Sequence, residues 1–131
     1  METGENITFE KVYKQFDQIQ VFKGLSLKIN SGCVTTILGP SGCGKSVLLK
    51  HINGIEKSDH GRVIVSGYDM NKIRPNDLIE LRKQIGVLFQ SSALFDSMTV
   101  RENVAFGIRM HKHMSEVEIN NRVRDCLGEV E

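Results

Sequence analysis

Hydrophobic and polar positions alternate through the first thirty residues. Ile7 and Phe9, continued by Lys11 to Tyr13, form one run, and Val21, Leu25, Leu27 and Ile29 form another after a polar turn near Asp17-Gln18. A period of two marks strands with one buried face, and two such runs around a turn predict an antiparallel pair. Cys33-Val34-Thr35-Thr36-Ile37-Leu38, set between Gly32 and Gly39, is β-branched without alternation and predicts a strand buried on both faces. The period then changes. Val47, Leu48, Leu49, Ile52 and Ile55 share a helix face, and Gly54 is placed to end that helix.

Gly61 to Ser66 predicts a further strand. Pro75 opens a short helix carrying Leu78, Leu81 and Ile85, and Ile85-Gly86-Val87-Leu88-Phe89 predicts a second buried strand. Thr99-Val100-Arg101-Glu102 and Ser115-Glu116-Val117-Glu118 each set a hydroxyl three residues before a carboxylate, the spacing that satisfies orphan amides at a helix start. The last helix gathers Ile119, Val123, Cys126, Leu127 and Val130 into a stripe expected to face core strands that the 131 residues do not supply.

Length and composition narrow the classes. With 131 residues, 40% hydrophobic and 25% charged, the chain reads as one ordinary globular domain. Seventeen basic against sixteen acidic residues give +1, without the basic excess of a nucleic-acid binder, so no nucleic-acid partner is expected. No run approaches the roughly 18 apolar residues of a membrane span, so no direct membrane insertion is expected. The polar start Met1-Glu2-Thr3-Gly4-Glu5-Asn6 does not read as a secretory signal, and a cytoplasmic location is expected. Cys33, Cys43 and Cys126 are odd in number and widely spaced, which fits reduced thiols. His111-Lys112-His113 reads as a basic helix end rather than a metal site.

The strongest signal is Gly39-Pro40-Ser41-Gly42-Cys43-Gly44-Lys45-Ser46, which fits G-x-x-x-x-G-K-[ST] between a predicted strand and a predicted helix. Such a loop wraps phosphate with its amides pointing inward, in conformations that a Cβ would obstruct, so Gly42 and Gly44 are needed. The following helix adds its unpaired amides and positive dipole end. Lys45 is placed to bring a point charge to the β- and γ-phosphates, and the Ser46 hydroxyl to ligate the bridging Mg²⁺. The expected ligands are therefore ATP or another nucleoside triphosphate, with Mg²⁺.

Across essentially its whole length the chain resembles the ATP-binding subunit of ABC transporters. The resemblance implies an α/β fold: a P-loop NTPase (RecA-like) core with an N-terminal antiparallel β subdomain and the start of an α-helical subdomain, truncated. Residues 1–131 would form the N-terminal part of one such nucleotide-binding domain. It places Phe16, within V-Y-K-Q-F-D, as the aromatic that stacks on adenine, the alternative being an edge aromatic of the sheet; Val21 would flank the same base. It makes Gly86-Val87-Leu88-Phe89-Gln90 the Q-loop, with Gln90 contacting Mg²⁺ or the attacking water and sensing the γ-phosphate. The wording from Phe89 to Phe106, with G-K-S-V-L-L-K-H-I after the P-loop, is similar to the ATPases of Mla-type (Mce-associated) phospholipid transporters.

The implied partners are a transmembrane permease and a second ATPase subunit, the family forming homodimers, at the inner face of the cell membrane. Leu94, Phe95 and Met98 either receive a coupling helix of the permease or fold under their own helical subdomain. The 131 residues contain no L-S-G-G-Q signature, no apolar strand ending in Asp-Glu and no later switch histidine. A truncation or frameshift is one expectation. A transporter ATPase inactive as this chain alone and a non-hydrolysing nucleotide-binding module or nonfunctional remnant both stay open.

Overall fold

The computed structural model describes residues 5–91, 93–111 and 114–130. These fall into two compact units, Met1–Ile85 and Gly86–Glu131.

The first unit is built on β1 (Glu5–Phe16) and β2 (Ile19–Asn30), joined by the two-residue turn Asp17-Gln18, with Phe16 opposite Ile19. β3 (His60–Val65) pairs antiparallel with the other edge of β1, and β4 (Tyr68–Asp69) with β3, giving the order β2-β1-β3-β4. The alternation along β1 is interrupted. Glu10 and Lys11 together oppose Ser26 alone, between the pairs Phe9 with Leu27 and Val12 with Leu25. Lys11 adopts φ 46° there, and its N–H donates to the Ser26 hydroxyl at 3.1 Å. An uninterrupted strand would turn Lys11 inward; the bulge turns Val12 inward instead, where it is fully buried.

Helix α1 (Lys45–Ile52) lays Leu48, His51 and Ile52 on the core formed by Phe9, Val12, Phe22, Val63 and Val65. It ends as predicted near Gly54, whose φ of 65° turns the chain away. His51 is 1% exposed, between the rings of Phe22 at 5.5 Å and Phe9 at 6.4 Å. Its Nδ1–H donates to the Val47 carbonyl at 2.7 Å, while Nε2 is buried without a partner. Helix α2 (Pro75–Arg82) adds Leu81 to the core, and Arg82 donates to the carbonyls of Asn53 and Gly54 at the end of α1. Ile85 packs against this core beyond the end of α2 rather than within it.

Two expectations are corrected. Neither Cys33–Leu38 nor Ile85–Phe89 is a strand, and neither joins the sheet. Val34 is 98% exposed, Leu38 88% and Leu88 95%. A run buried on both faces needs a hydrogen-bonded neighbour on each side, and among the described residues no strand lies beside either run.

In the second unit, α3 (Val100–His111) and α4 (Glu116–Gly128) pack through Ala105, Ile119 and Val123, flanked by Val104, Ile108, Met114 and Leu127. The apolar stripe of α4 therefore has α3 as its partner, not the missing core strands expected for it, and Val130 lies beyond the helix, exposed. Both capping boxes form. Thr99 donates to Glu102 through N and Oγ1 at 2.8 and 2.7 Å, and Ser115 to Glu118 through N and Oγ at 2.8 and 2.7 Å. Lys112 and His113, read as part of a basic helix end, lie outside the described residues.

Replacing His51 with Leu removes the orphaned Nε2 at similar volume and should change stability by no more than about 1 kcal/mol. His51→Ala opens a cavity under two aromatic rings and should cost about 2–4 kcal/mol in denaturant unfolding.

The backbone N–H and hydroxyl of Thr99 hold the Glu102 carboxyl below its ordinary 4.5, and the hydroxyl and N–H of Ser115 do the same for Glu118. A carboxyl whose pKa is lower when folded stabilises the helix above its unfolded value and loses that contribution as pH falls through the folded value. Helicity at 222 nm should therefore decline below about pH 4.5, and Glu102→Gln with Glu118→Gln should make that decline shallower.

Candidate functional site

Gly39 to Ser46 forms a loop that closes on itself and opens into α1. Cys43 N–H donates to the Pro40 carbonyl at 3.5 Å, and Gly42 and Gly44 take φ of 78° and 99°, a region that side chains rarely enter. Gly44 is also the N-cap of α1, pressed against β2. A Cβ on it would stand 2.7 Å from Val21 Cγ1 and 3.0 Å from Phe22 Cε1. Around Gly42 the space is open.

No side chain caps the start of α1, and its first turn holds no acidic residue. The first amides of the helix therefore keep their donors and their positive field for an external acceptor. Lys45 curls back over the loop, its Nζ donating to the carbonyls of Gly39 at 2.8 Å and Pro40 at 2.7 Å, with Cys43 Sγ at 3.7 Å. Ser46 follows on the exposed side of the helix. The donor set is one for an anion.

A cavity of about 360 Å³ adjoins this loop, walled by Val21, Lys23 and Leu25 of β2, by Ile37 and Leu38, and by Cys43, Gly44 and Lys45. The period of two that joins Val21, Lys23 and Leu25 puts a second lysine in this wall, which sequence reasoning passed over. A larger cleft of about 720 Å³ opens over the sheet around Thr8, Lys11, Leu27 and Arg62. It has no helix N-terminus among its walls, and Glu10 holds the Arg62 guanidinium at 2.7 Å, so its chemistry does not match a phosphate.

The remaining residues singled out in the sequence are spread more widely. Val21 touches the loop by its place against Gly44. Phe16 stands at the tip of the β1–β2 hairpin, partly exposed, with Lys14 Nζ over its ring at 4.9 Å, and does not line the cavity. Gln90 is exposed in an irregular segment of the second unit. Of the apolar residues after it, Phe95 packs on Phe106 at 4.8 Å between ring centroids, Met98 is half-buried and Leu94 is exposed. Asn103 fastens that segment, accepting from Phe95 N–H and donating to the carbonyls of Phe95, Met98 and Thr99.

An antiparallel sheet backed by a helix that springs from a glycine loop makes this an α/β protein with an anion-binding type of loop. The fold matches the bacterial ABC transporter cassette MJ0796 in its dimeric form, with TM-score 0.84 and 30% identity over 93% of this chain and 56% of that one. A second structure of MJ0796, in a post-hydrolysis state bound to ADP and Pi, matches at TM-score 0.83 and 29% identity, again over 93% of this chain and 56% of that one. The ABC transporter family profile matches residues 22–130, and the chain belongs to that family.

Among the curated relatives, the spermidine/putrescine import ATP-binding protein PotA of Photobacterium profundum is 46% identical over 95% of this chain and 32% of its own length. The sulfate/thiosulfate import ATP-binding protein CysA of Synechococcus elongatus is 40% identical over 92% of this chain and 33% of its own. The chain thus spans about a third of the length of the curated relatives it matches. These relatives carry names of polyamine and sulfate importers, and none of them supports the phospholipid expectation.

Gly44→Ala combines a left-handed backbone with a collision against Val21 and should cost at least about 2 kcal/mol in denaturant unfolding. Gly42→Ala, left-handed but in open space, should cost about 1 kcal/mol. Equal losses would show that the helix start is able to step back from β2.

Proposed function

We propose that this chain binds Mg²⁺-ATP and serves as the ATP-binding part of an ABC transporter, working with a transmembrane permease and a second cassette subunit. The observation that carries the reading is the uncapped, acid-free start of α1 behind two left-handed glycines, with the Lys45 ammonium resting on loop carbonyls.

The loop Gly39, Pro40, Ser41, Gly42, Cys43 and Gly44 would supply amides to the phosphates, and Lys45 would exchange its carbonyl partners for phosphate oxygens, a stronger, charge-assisted contact. Mg²⁺ keeps several waters and takes few protein ligands, so the Ser46 hydroxyl with the phosphates would suffice; a role for Gln90 is proposed from the family resemblance alone. Phe16 would stack on adenine with Val21 beside it. Bound Mg²⁺ would neutralise phosphate charge.

The partner reading draws on the relatives' printed names and on the dimeric cassettes among the solved structures. Among the described residues no helix is long and apolar enough to cross a membrane; the place at the cytoplasmic face is proposed from the family resemblance. Phospholipid as cargo has only the wording of Phe89 to Phe106 and of G-K-S-V-L-L-K-H-I behind it. Importers named for polyamines and for sulfate, cargoes of opposite charge, match this chain comparably well, so its residues are read as energising rather than cargo-selecting.

Calorimetric titration of the chain with ATP and Mg²⁺ tests the site. Lys45→Ala should weaken binding at least about tenfold, since it removes a charge-assisted contact of roughly 1.5–3 kcal/mol. GTP should bind within about tenfold of ATP if the base is held by stacking. Equal ATP affinity in the wild type and Lys45→Ala would overturn the assignment.

A further inference from the structure

Lys14 is held far more tightly than a solvated lysine. It lies on β1 two residues before Phe16, its side chain only 12% exposed. Nζ donates to the Lys57 carbonyl at 2.9 Å and stands 3.3 Å from Glu56 Oε2 and 3.4 Å from Asp59 Oδ1, so its three donors face three acceptors. Asp59 is itself fixed, accepting the Gln15 N–H at 2.7 Å, and that hydrogen bond, with the Lys14 charge, holds its carboxyl below the ordinary range.

Two carboxylates around one ammonium leave little net charge for a distant phosphate. What the ammonium still reaches is the Phe16 ring, 4.9 Å below it. A cation over an aromatic face is attracted by the ring quadrupole and holds the ring in one orientation. Phe16 nevertheless keeps 36% of its surface exposed, so the ring is pinned without being buried.

We propose that Lys14 is a positioning residue for base recognition: anchored by Glu56, Asp59 and the Lys57 carbonyl, it clamps Phe16 from one side and presents the uncovered part of the ring to the purine of the nucleotide. The proposal rests on the reading of Phe16 as the base-stacking residue. The gain comes from preorganisation, because a free surface ring would have to surrender its rotamers on binding.

The test compares ATP with inorganic tripolyphosphate, which carries the phosphates without a base, in titrations of the full chain. Lys14→Met should weaken ATP about threefold to tenfold and leave tripolyphosphate within about twofold. Lys14→Gln, which keeps a donor for the Lys57 carbonyl, should show the same selective loss, and Lys14→Arg, which keeps the cation, should restore ATP. In a Phe16→Ala background, Lys14→Met should have no further effect, because the two residues act through one contact.

Equal losses for ATP and tripolyphosphate, or additive losses in the double variant, would overturn the proposal. If Phe16→Ala weakens ATP selectively while both Lys14→Met and Lys14→Gln do not, Lys14 fails and the base-stacking reading stands. If Phe16→Ala leaves the ratio of the two affinities unchanged, that reading falls and the proposal with it.

Discussion

The site depends on the absence of a side chain at Gly44. There the backbone passes so close to Val21 and Phe22 that even a methyl group would meet carbon at 2.7 Å, and there α1 begins. The contact makes β2 the wall from which the glycine loop is hung. Phe22 then continues into the core that receives Leu48 and Ile52, so the packing that stabilises the sheet also fixes the direction of the helix dipole. Antiparallel sheet and anion site are in this sense one mechanical unit.

Local signals in the sequence reached far. The Asp17-Gln18 turn, the helix after the glycine loop and both capping boxes form where short-range spacing puts them, because each is determined by contacts within a few residues. Longer-range effects were not legible. The shift of phase at Glu10-Lys11 is set by a neighbouring strand that offers one residue against two. The β-branched run Cys33–Leu38 and the apolar run Ile85–Phe89 carry the composition of buried strands, yet composition cannot supply the hydrogen-bonding neighbours that make a strand.

The candidate site divides along the same line. Gly42, Gly44 and Lys45 belong to a contiguous motif, and Val21, distant in sequence, lies against Gly44 and lines the same cavity. Lys14 and its partners are separated by more than forty residues, and no pattern within β1 announces Glu56 or Asp59. His51 is a core residue whose tautomer is set by the Val47 carbonyl one turn back. Its burial reflects where the period of α1 places it.

The partners of Lys45 bear on how the loop would take the proposed phosphate ligand. Its ammonium rests on two neutral carbonyls, those of Gly39 and Pro40, and the first turn of α1 contains no carboxylate. An acidic partner would form a charge-assisted pair that a phosphate could displace only by breaking an equally strong contact. Carbonyl dipoles hold the lysine in place yet are weaker acceptors than a phosphate oxygen, so binding replaces ion–dipole contacts with ion–ion contacts. On the proposed reading, a phosphate at this loop would owe its hold on Lys45 to its own charge.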